Sequence, residues 1–397
     1  MSLNSTPNAN RVHIAFFGRR NAGKSSLLNA VTGQDIAIVS DVKGTTTDPV
    51  SKAMELLPIG PVLMIDTPGL DDEGTVGELR IKKARQVLNK TDIALLVVDS
   101  AEGLSAVDRE IIELFRAKKL PYLVVYNKSD LADANLTGEN EISVSSVTGE
   151  RINELKDRIA ALAKSDENAA RIVGDLLSPS DVVILVTPID SSAPKGRMIL
   201  PQVQTIRDIL DSHAMCMVVQ AEQLPQALAA LSAPPRLVVT DSQVFGRVKE
   251  MVAEDIPLTS FSILMARFKG FLETAVRGAA HIESLRDGDV VLISEGCTHH
   301  RQCEDIGTVK LPGWIKKHTG RELQFEFTSG GGFPEDISSD KYAMIVHCGG
   351  CMLTEREMQY RMRCAEDAGV AFTNYGTLIA YMNGILKRSV AGVGIKM

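Results

Sequence analysis

Short apolar runs alternate with longer amphipathic stretches along most of the chain. Residues 12–17, 62–65, 93–98 and 122–126 are almost wholly apolar and read as strands buried on both faces of a parallel sheet; residues 141–144 follow as a shorter strand. Between them, residues 26–32 carry a helical pattern stopped by Gly33, and residues 151–162 form an amphipathic helix. A linker over residues 169–175 leads into a second alternation. There strands at 182–186, 215–220 and 236–240 are separated by helices at 200–210, 222–231 and 241–253. A third begins with strands at 290–294 and 342–346. The pattern predicts an α/β chain in three parts: 1–168, with a disordered tail over 1–10, then 169–270 and 271–397. Three strands make the middle sheet small. It either packs against the rest of the chain or continues across a dimer partner.

Composition changes this picture little. The 397 residues are 44% hydrophobic and 23% charged, ordinary for globular domains, and the formal charge of -7 argues against a bulk nucleic-acid binder. No apolar run reaches membrane-spanning length, and the polar first ten residues lack the apolar core of a secretory signal. The expected location is therefore cytoplasmic. There the six cysteines serve as ligands or core residues rather than disulfides.

The candidate chemistry lies at strand ends. Gly18-Arg-Arg-Asn-Ala-Gly-Lys-Ser25 follows the first strand and opens the first helix, the context a phosphate-binding P-loop requires. In such a loop the backbone N–H groups around Asn21, Ala22, Gly23 and Ser26 cradle phosphate oxygens. Lys24 reaches the β- and γ-phosphates and the Ser25 hydroxyl binds Mg²⁺. Among Thr45, Thr46 and Thr47, Thr46 is the candidate for sensing Mg²⁺ and the γ-phosphate. Asp66-Thr-Pro-Gly69 ends the next apolar strand; Asp66 can hold Mg²⁺ through water, and the Gly69 N–H can meet the γ-phosphate. Asn127-Lys-Ser-Asp130 ends another. Asp130 can accept both N–H groups of guanine, a pairing adenine cannot offer, and such sites discriminate steeply. Asn127 braces the P-loop, the Lys128 stem covers the base, and Ser145 and Ser146 supply backbone N–H for guanine O6. No catalytic cluster stands out in the middle part: Cys216 and Met217 read as core, and His213 as an ordinary surface or core histidine.

In the last part, the strand at 290–294 runs into Glu295-Gly-Cys-Thr-His-His300, and the strand at 342–346 into His347-Cys-Gly-Gly-Cys351. If these strands are parallel neighbours, Cys297, His299, His347, Cys348 and Cys351 gather at one sheet edge, with Gly330-Gly-Gly332 possible beside them. Three cysteines suit an iron–sulfur cluster whose fourth iron takes a histidine or stays exchangeable. A closed Cys₃His zinc site and a chance core grouping are the alternatives, and His300 and Cys303 complicate the assignment. Cys364 and Trp314 read as packing residues.

The first part, through G-R-R-N-A-G-K-S-S-L-L-N, G-T-T-T-D, D-T-P-G and N-K-S-D, resembles a Ras-like GTPase domain of the tRNA-modification and ribosome-assembly branch. Thr47 departs from that branch's usual Arg, and Leu70 stands where Ras-type enzymes place a water-orienting Gln. The resemblance implies GTP hydrolysis, slow in isolation, with K⁺ bound through Asn21 in place of an arginine finger. Over nearly the whole chain, C-T-H, forty-seven residues, then H-C-G-G-C resembles the HydF family of [FeFe]-hydrogenase maturation GTPases, as do A-P-K-G-R-M-I-L-P-Q, S-G-G-G-F-P and T-N-Y-G-T-L-I-A-Y. That resemblance implies a GTPase domain, a small α/β dimerisation domain and an α/β iron–sulfur domain. It also implies a homodimer with a [4Fe–4S] cluster on Cys297, Cys348 and Cys351, with His299 and His347 as further members of the motif. The implied role is to carry a transient di-iron precursor from radical-enzyme maturases to apo-hydrogenase, without nucleic acid or membrane partners. The competing readings are a ribosome- or RNA-acting GTPase with a structural metal, and a redox enzyme with an electron-transfer cluster.

Overall fold

The computed structural model describes residues 6–33, 50–69, 87–163, 170–189, 198–297, 306–334 and 336–395. The chain divides into two compact units, Met1–Ala169 and Ala170–Met397.

The first unit is built on one sheet. Its strands are β1 (Val12–Phe17), β2 (Val50–Leu56), β3 (Gly60–Asp66), β4 (Ile93–Asp99), β5 (Tyr122–Asn127) and β6 (Glu141–Val144), in the order β2-β3-β1-β4-β5-β6. All neighbours are parallel except β2 with β3. Helices α1 (Lys24–Thr32), α2 (Ala106–Ala117) and α3 (Ile152–Ala163) supply the cover. The central strands β1 and β4 are buried on both faces, which is why they read as unbroken apolar runs. The chain leaves β1 toward β3 on one side and returns to β4 on the other. The loop after β1 therefore lies where the strand order reverses, and open α/β sheets bind ligands at that crevice. Residues Asn8–Asn10, expected within a disordered tail, form a 3₁₀ turn whose Asn8 carbonyl lies 2.8 Å from His13 Nε2.

The second unit holds two parallel four-stranded sheets over one continuous apolar core. The first contains β7 (Val182–Val186), β8 (Met215–Val219), β9 (Leu237–Thr240) and β10 (Leu258–Ser260), in the order β10-β9-β7-β8. Its connections are α4 (Leu200–Asp211), the short α5 (Leu224–Ala229) and α6 (Phe245–Val248), and α7 (Phe261–Phe268) follows β10. The strand β10 is additional to the three expected. The edge strand β8 is less buried than its sequence implied: Cys216 and Met217 are only half-buried, while Met215 and Val218 are 52% and 42% exposed. After α8 (Leu272–Ala279), the second sheet contains β11 (Val290–Glu295), β12 (Gln324–Ser329), β13 (Met344–His347) and β14 (Ala371–Asn374), in the order β12-β11-β13-β14. Helices α9 (Leu311–Thr319), α10 (Glu355–Asp367), α11 (Tyr375–Met382) and α12 (Leu386–Ala391) complete it. No described helix is long and apolar enough to cross a membrane.

Candidate functional site

At the β1 crevice, Gly18 and Gly23 hold φ of 139° and 89°, and Asn21 between them holds 61°. A Cβ on Gly23 would sit 2.2 Å from Asn127 Nδ2, so the loop closes on β5 only with glycine there. Asn127 is buried: its Nδ2 donates to the Ala22 carbonyl at 3.2 Å, and its Oδ1 accepts from the Ser146 N–H at 3.0 Å. Lys24 Nζ donates to the Gly18 and Arg19 carbonyls at 3.0 and 2.8 Å, folded over the loop it would leave for phosphate. Ser25 Oγ donates to Asp66 Oδ2 at 2.6 Å, while the buried Asp66 Oδ1 has no hydrogen-bond partner. Burial raises the Asp66 pKa, opposed by the Ser25 bond and the Lys24 charge. A carboxylate that is desolvated and half-satisfied beside a serine hydroxyl is the donor set a hydrated Mg²⁺ fits. Gly69 lies against the loop, where its Cβ would approach the Arg20 N at 3.0 Å.

The residues expected to read the base also lie close together. Ser145 Oγ donates to Asp130 Oδ1, and Lys128 pairs with Asp99 at 2.6 Å. Burial would raise Asp99, but the Lys128 bond wins and draws it below the ordinary range. Ser145 N–H donates to the Glu150 carbonyl at 3.2 Å, so both N–H groups named for guanine O6 have protein partners here. Thr45, Thr46, Thr47 and Leu70 lie outside the described residues, as do His299, His300 and Cys303.

In the second unit, β11 and β13 are parallel neighbours with Ser294 opposite His347, so both cysteine motifs leave the same sheet edge. Gly296, beside Cys297, donates its N–H to Cys348 Sγ at 3.1 Å, and Gly350 donates to the same sulfur at 3.4 Å. Gly350 has φ 67°, and a Cβ there would meet Met358 Sδ at 2.5 Å; the tight turn between the two cysteines needs glycine. Burial raises the thiol of Cys348 against those N–H groups. Burial, followed by the neighbouring Cys348, pushes Cys351 up to about 12. Two half-buried cysteines whose thiols are desolvated, with backbone N–H groups aimed at one sulfur, suit a ligand that takes thiolates and spreads their charge. Among the described residues, no three His, Cys, Asp or Glu side chains converge as a single-ion site.

His347 is fully buried and stacked on Phe372 at 6.0 Å. Its Nδ1 lies 2.8 Å from the Cys348 carbonyl and its Nε2 3.1 Å from Arg361 Nη1. Burial first, and the Arg361 charge second, lower it to about 3, so the ring is neutral. No sequence motif marks Arg361, which lies fourteen residues downstream on α10 and is buried.

Residues 13–128 match the 50S ribosome-binding GTPase family, residues 172–270 the Hydrogen maturase F dimerization domain, and residues 273–392 the Hydrogen maturase F tetramerization domain. The tRNA modification GTPase MnmE of Chromobacterium violaceum is 38% identical over 154 residues, covering 37% of this chain and 34% of that protein. MnmE of Natranaerobius thermophilus is 35% identical over 170 residues, covering 42% and 36%. The chain thus spans about a third of the length of these curated relatives. Among solved structures, a probable GTP-binding protein engB is similar at 24% identity and a TM-score of 0.32, covering 38% of this chain and 98% of that one. Aquifex aeolicus Era bound to GDP.AlF4- is similar at 20% and 0.35, covering 60% and 97%. A GTPase domain followed in order by both HydF domains places the chain in the family of HydF-type hydrogenase maturation GTPases.

Proposed function

We propose that this chain is a GTP-hydrolysing scaffold that carries a di-iron precursor to apo-[FeFe]-hydrogenase and holds a [4Fe–4S] cluster on Cys297, Cys348 and Cys351. The observation that carries this reading is the β11–β13 register, which brings Cys297 and the Cys348–Cys351 turn to one sheet edge. A bound cluster would supply one iron open to exchange, the property a carrier needs. The chain's own residues desolvate the thiols and direct the N–H groups of Gly296 and Gly350 at Cys348. His299 belongs to the motif beside Cys297. Radical-enzyme maturases are the partners that would supply the precursor.

In the GTPase domain, Lys24 neutralises phosphate charge, and Ser25, Thr46 and Asp66 hold Mg²⁺. Gly69 contacts the γ-phosphate, and Asp130 selects guanine. Asn21 to Ser26 form the cradle, with K⁺ held through Asn21. The homodimer forms by pairing of the exposed apolar edge strand β8, which extends the sheet across two protomers. The domains run over 1–168, 169–270 and 271–397. A ribosome- or RNA-acting role is favoured by the GTPase segment alone; both domains that follow it match Hydrogen maturase F.

Anaerobic purification followed by iron and sulfide analysis and EPR tests the cluster. Wild type should carry iron, acid-labile sulfide and a cluster signal. Cys297→Ser, Cys348→Ser and Cys351→Ser should each abolish the signal while GTP turnover stays within about twofold. Zinc in place of iron, or a cluster unchanged in Cys297→Ser, contradicts the reading.

A further inference from the structure

The sequence motif marks His347 by its place beside Cys348, yet its surroundings fix both ring nitrogens. A carbonyl oxygen only accepts, so Nδ1, at 2.8 Å from the Cys348 carbonyl, carries the proton and donates. The neutral ring then keeps a single lone pair, on Nε2, and that pair accepts from Arg361 Nη1 at 3.1 Å. Nothing on the ring is left to bind iron unless the Arg361 contact breaks.

Arg361 is placed to resist breaking. It is almost fully buried. Its Nε donates to Glu357 Oε1 at 2.9 Å and its Nη2 to the Gly330 carbonyl at 2.6 Å, and the guanidinium lies 5.0 Å from the Phe333 ring centroid. One planar cation thus ties the Cys348–Cys351 turn, through His347, to the triple-glycine loop and to α10. A lysine, with a point charge and no fork, could not make these contacts together. Glu357 offsets part of the charge from the far side, through Nε. The Nη1 edge remains directed through the imidazole toward the cysteine turn.

We propose that Arg361 is a positioning residue of the thiol centre: it holds His347 as a hydrogen-bond acceptor off the metal and sets the positive field beside the cysteines. This rests on the cluster reading given above. A cationic group beside a cluster held by thiolates favours the reduced, more negative state, so its loss should make reduction harder.

The test uses the full chain, reconstituted anaerobically with iron and sulfide, as wild type, Arg361→Gln, Arg361→Lys and His347→Gln. Three readouts are taken: iron content, the midpoint potential from an EPR-monitored titration, and pulsed EPR on protein labelled with ¹⁵N-histidine. Arg361→Gln should keep iron but shift the potential to more negative values, and Arg361→Lys should restore most of that shift. Wild type and His347→Gln should show the same histidine-nitrogen coupling, because His347 contributes none. A potential unchanged in Arg361→Gln overturns the proposal. So does a strong nitrogen coupling in wild type that His347→Gln removes. If Arg361→Gln does not fold, the wild-type and His347→Gln spectra decide alone. Wild type that takes up no iron overturns the cluster reading and this inference together. Iron uptake with an unshifted potential overturns this inference only.

Discussion

At the scale of single residues, burial decides most of the chemistry. Asp66 and Cys351 are both raised by desolvation, each at a place where a cation or cluster would favour the charged form. His13 on β1 shows the same force with the opposite sign. Its Nε2 faces the Asn8 carbonyl at 2.8 Å, and its buried Nδ1 has no partner. Burial lowers His13 below its ordinary value of 6.5, because a second proton would sit on a nitrogen with no acceptor. Below that pH the unfolded chain binds a proton that the folded chain refuses. Stability is therefore complete above 6.5 and is lost as pH falls. Leaving a buried donor unsatisfied costs about 1–3 kcal/mol. The melting transition of the GTPase unit, recognised by its shift with GDP, should fall by several degrees between about pH 7.5 and 5.5. His13→Gln should flatten part of that fall, and an identical pH profile in the variant would exclude His13 as its source. The P-loop residues were legible because nucleotide chemistry demands them in a fixed order. Arg361 was not, since a buried arginine on a helix reads like any solvated one until its partners are known.

At the scale of elements, the central strands were readable, as were the edge strands β6 and β8, while the other edges were not. β1, β4, β5, β7 and β11 are buried on both faces and print unbroken apolar runs. β2 is mostly exposed and polar, β12 alternates weakly at a sheet edge, and β10 and β14 are only three and four residues long. Each pairs through backbone hydrogen bonds, which leave little mark on side-chain pattern. β8 is the informative case: an apolar edge strand with Met215 and Val218 exposed and no charged residue to block pairing. If two copies join there, Val218→Lys should convert the dimer to monomer in sedimentation velocity at micromolar concentration, with GTP turnover changed by less than about twofold. A variant that remains dimeric would place the interface elsewhere.

At the scale of the whole molecule, the chain joins a GTPase domain to a separate compact unit that bears the paired cysteine motifs. The order of these parts was visible in the motifs, and the domain matches follow the same order. The joining of the second and third parts over one core was only one of two alternatives open to the small middle sheet, because it depends on contacts between residues far apart in sequence, such as the Asn374 Nδ2 bond to the Ser262 carbonyl at 2.9 Å. If GTP hydrolysis and the proposed carrier role reside in separate units, each can be broken without the other, and that independence gives the most direct test of the carrier role. The measurement is hydrogen evolution by apo-[FeFe]-hydrogenase after incubation with this protein, purified from cells that also contain the radical-enzyme maturases. Wild type should activate the apo-enzyme. Cys348→Ser should lose at least about tenfold of that activation while hydrolysing GTP at the wild-type rate. Equal activation by wild type and Cys348→Ser would contradict the account.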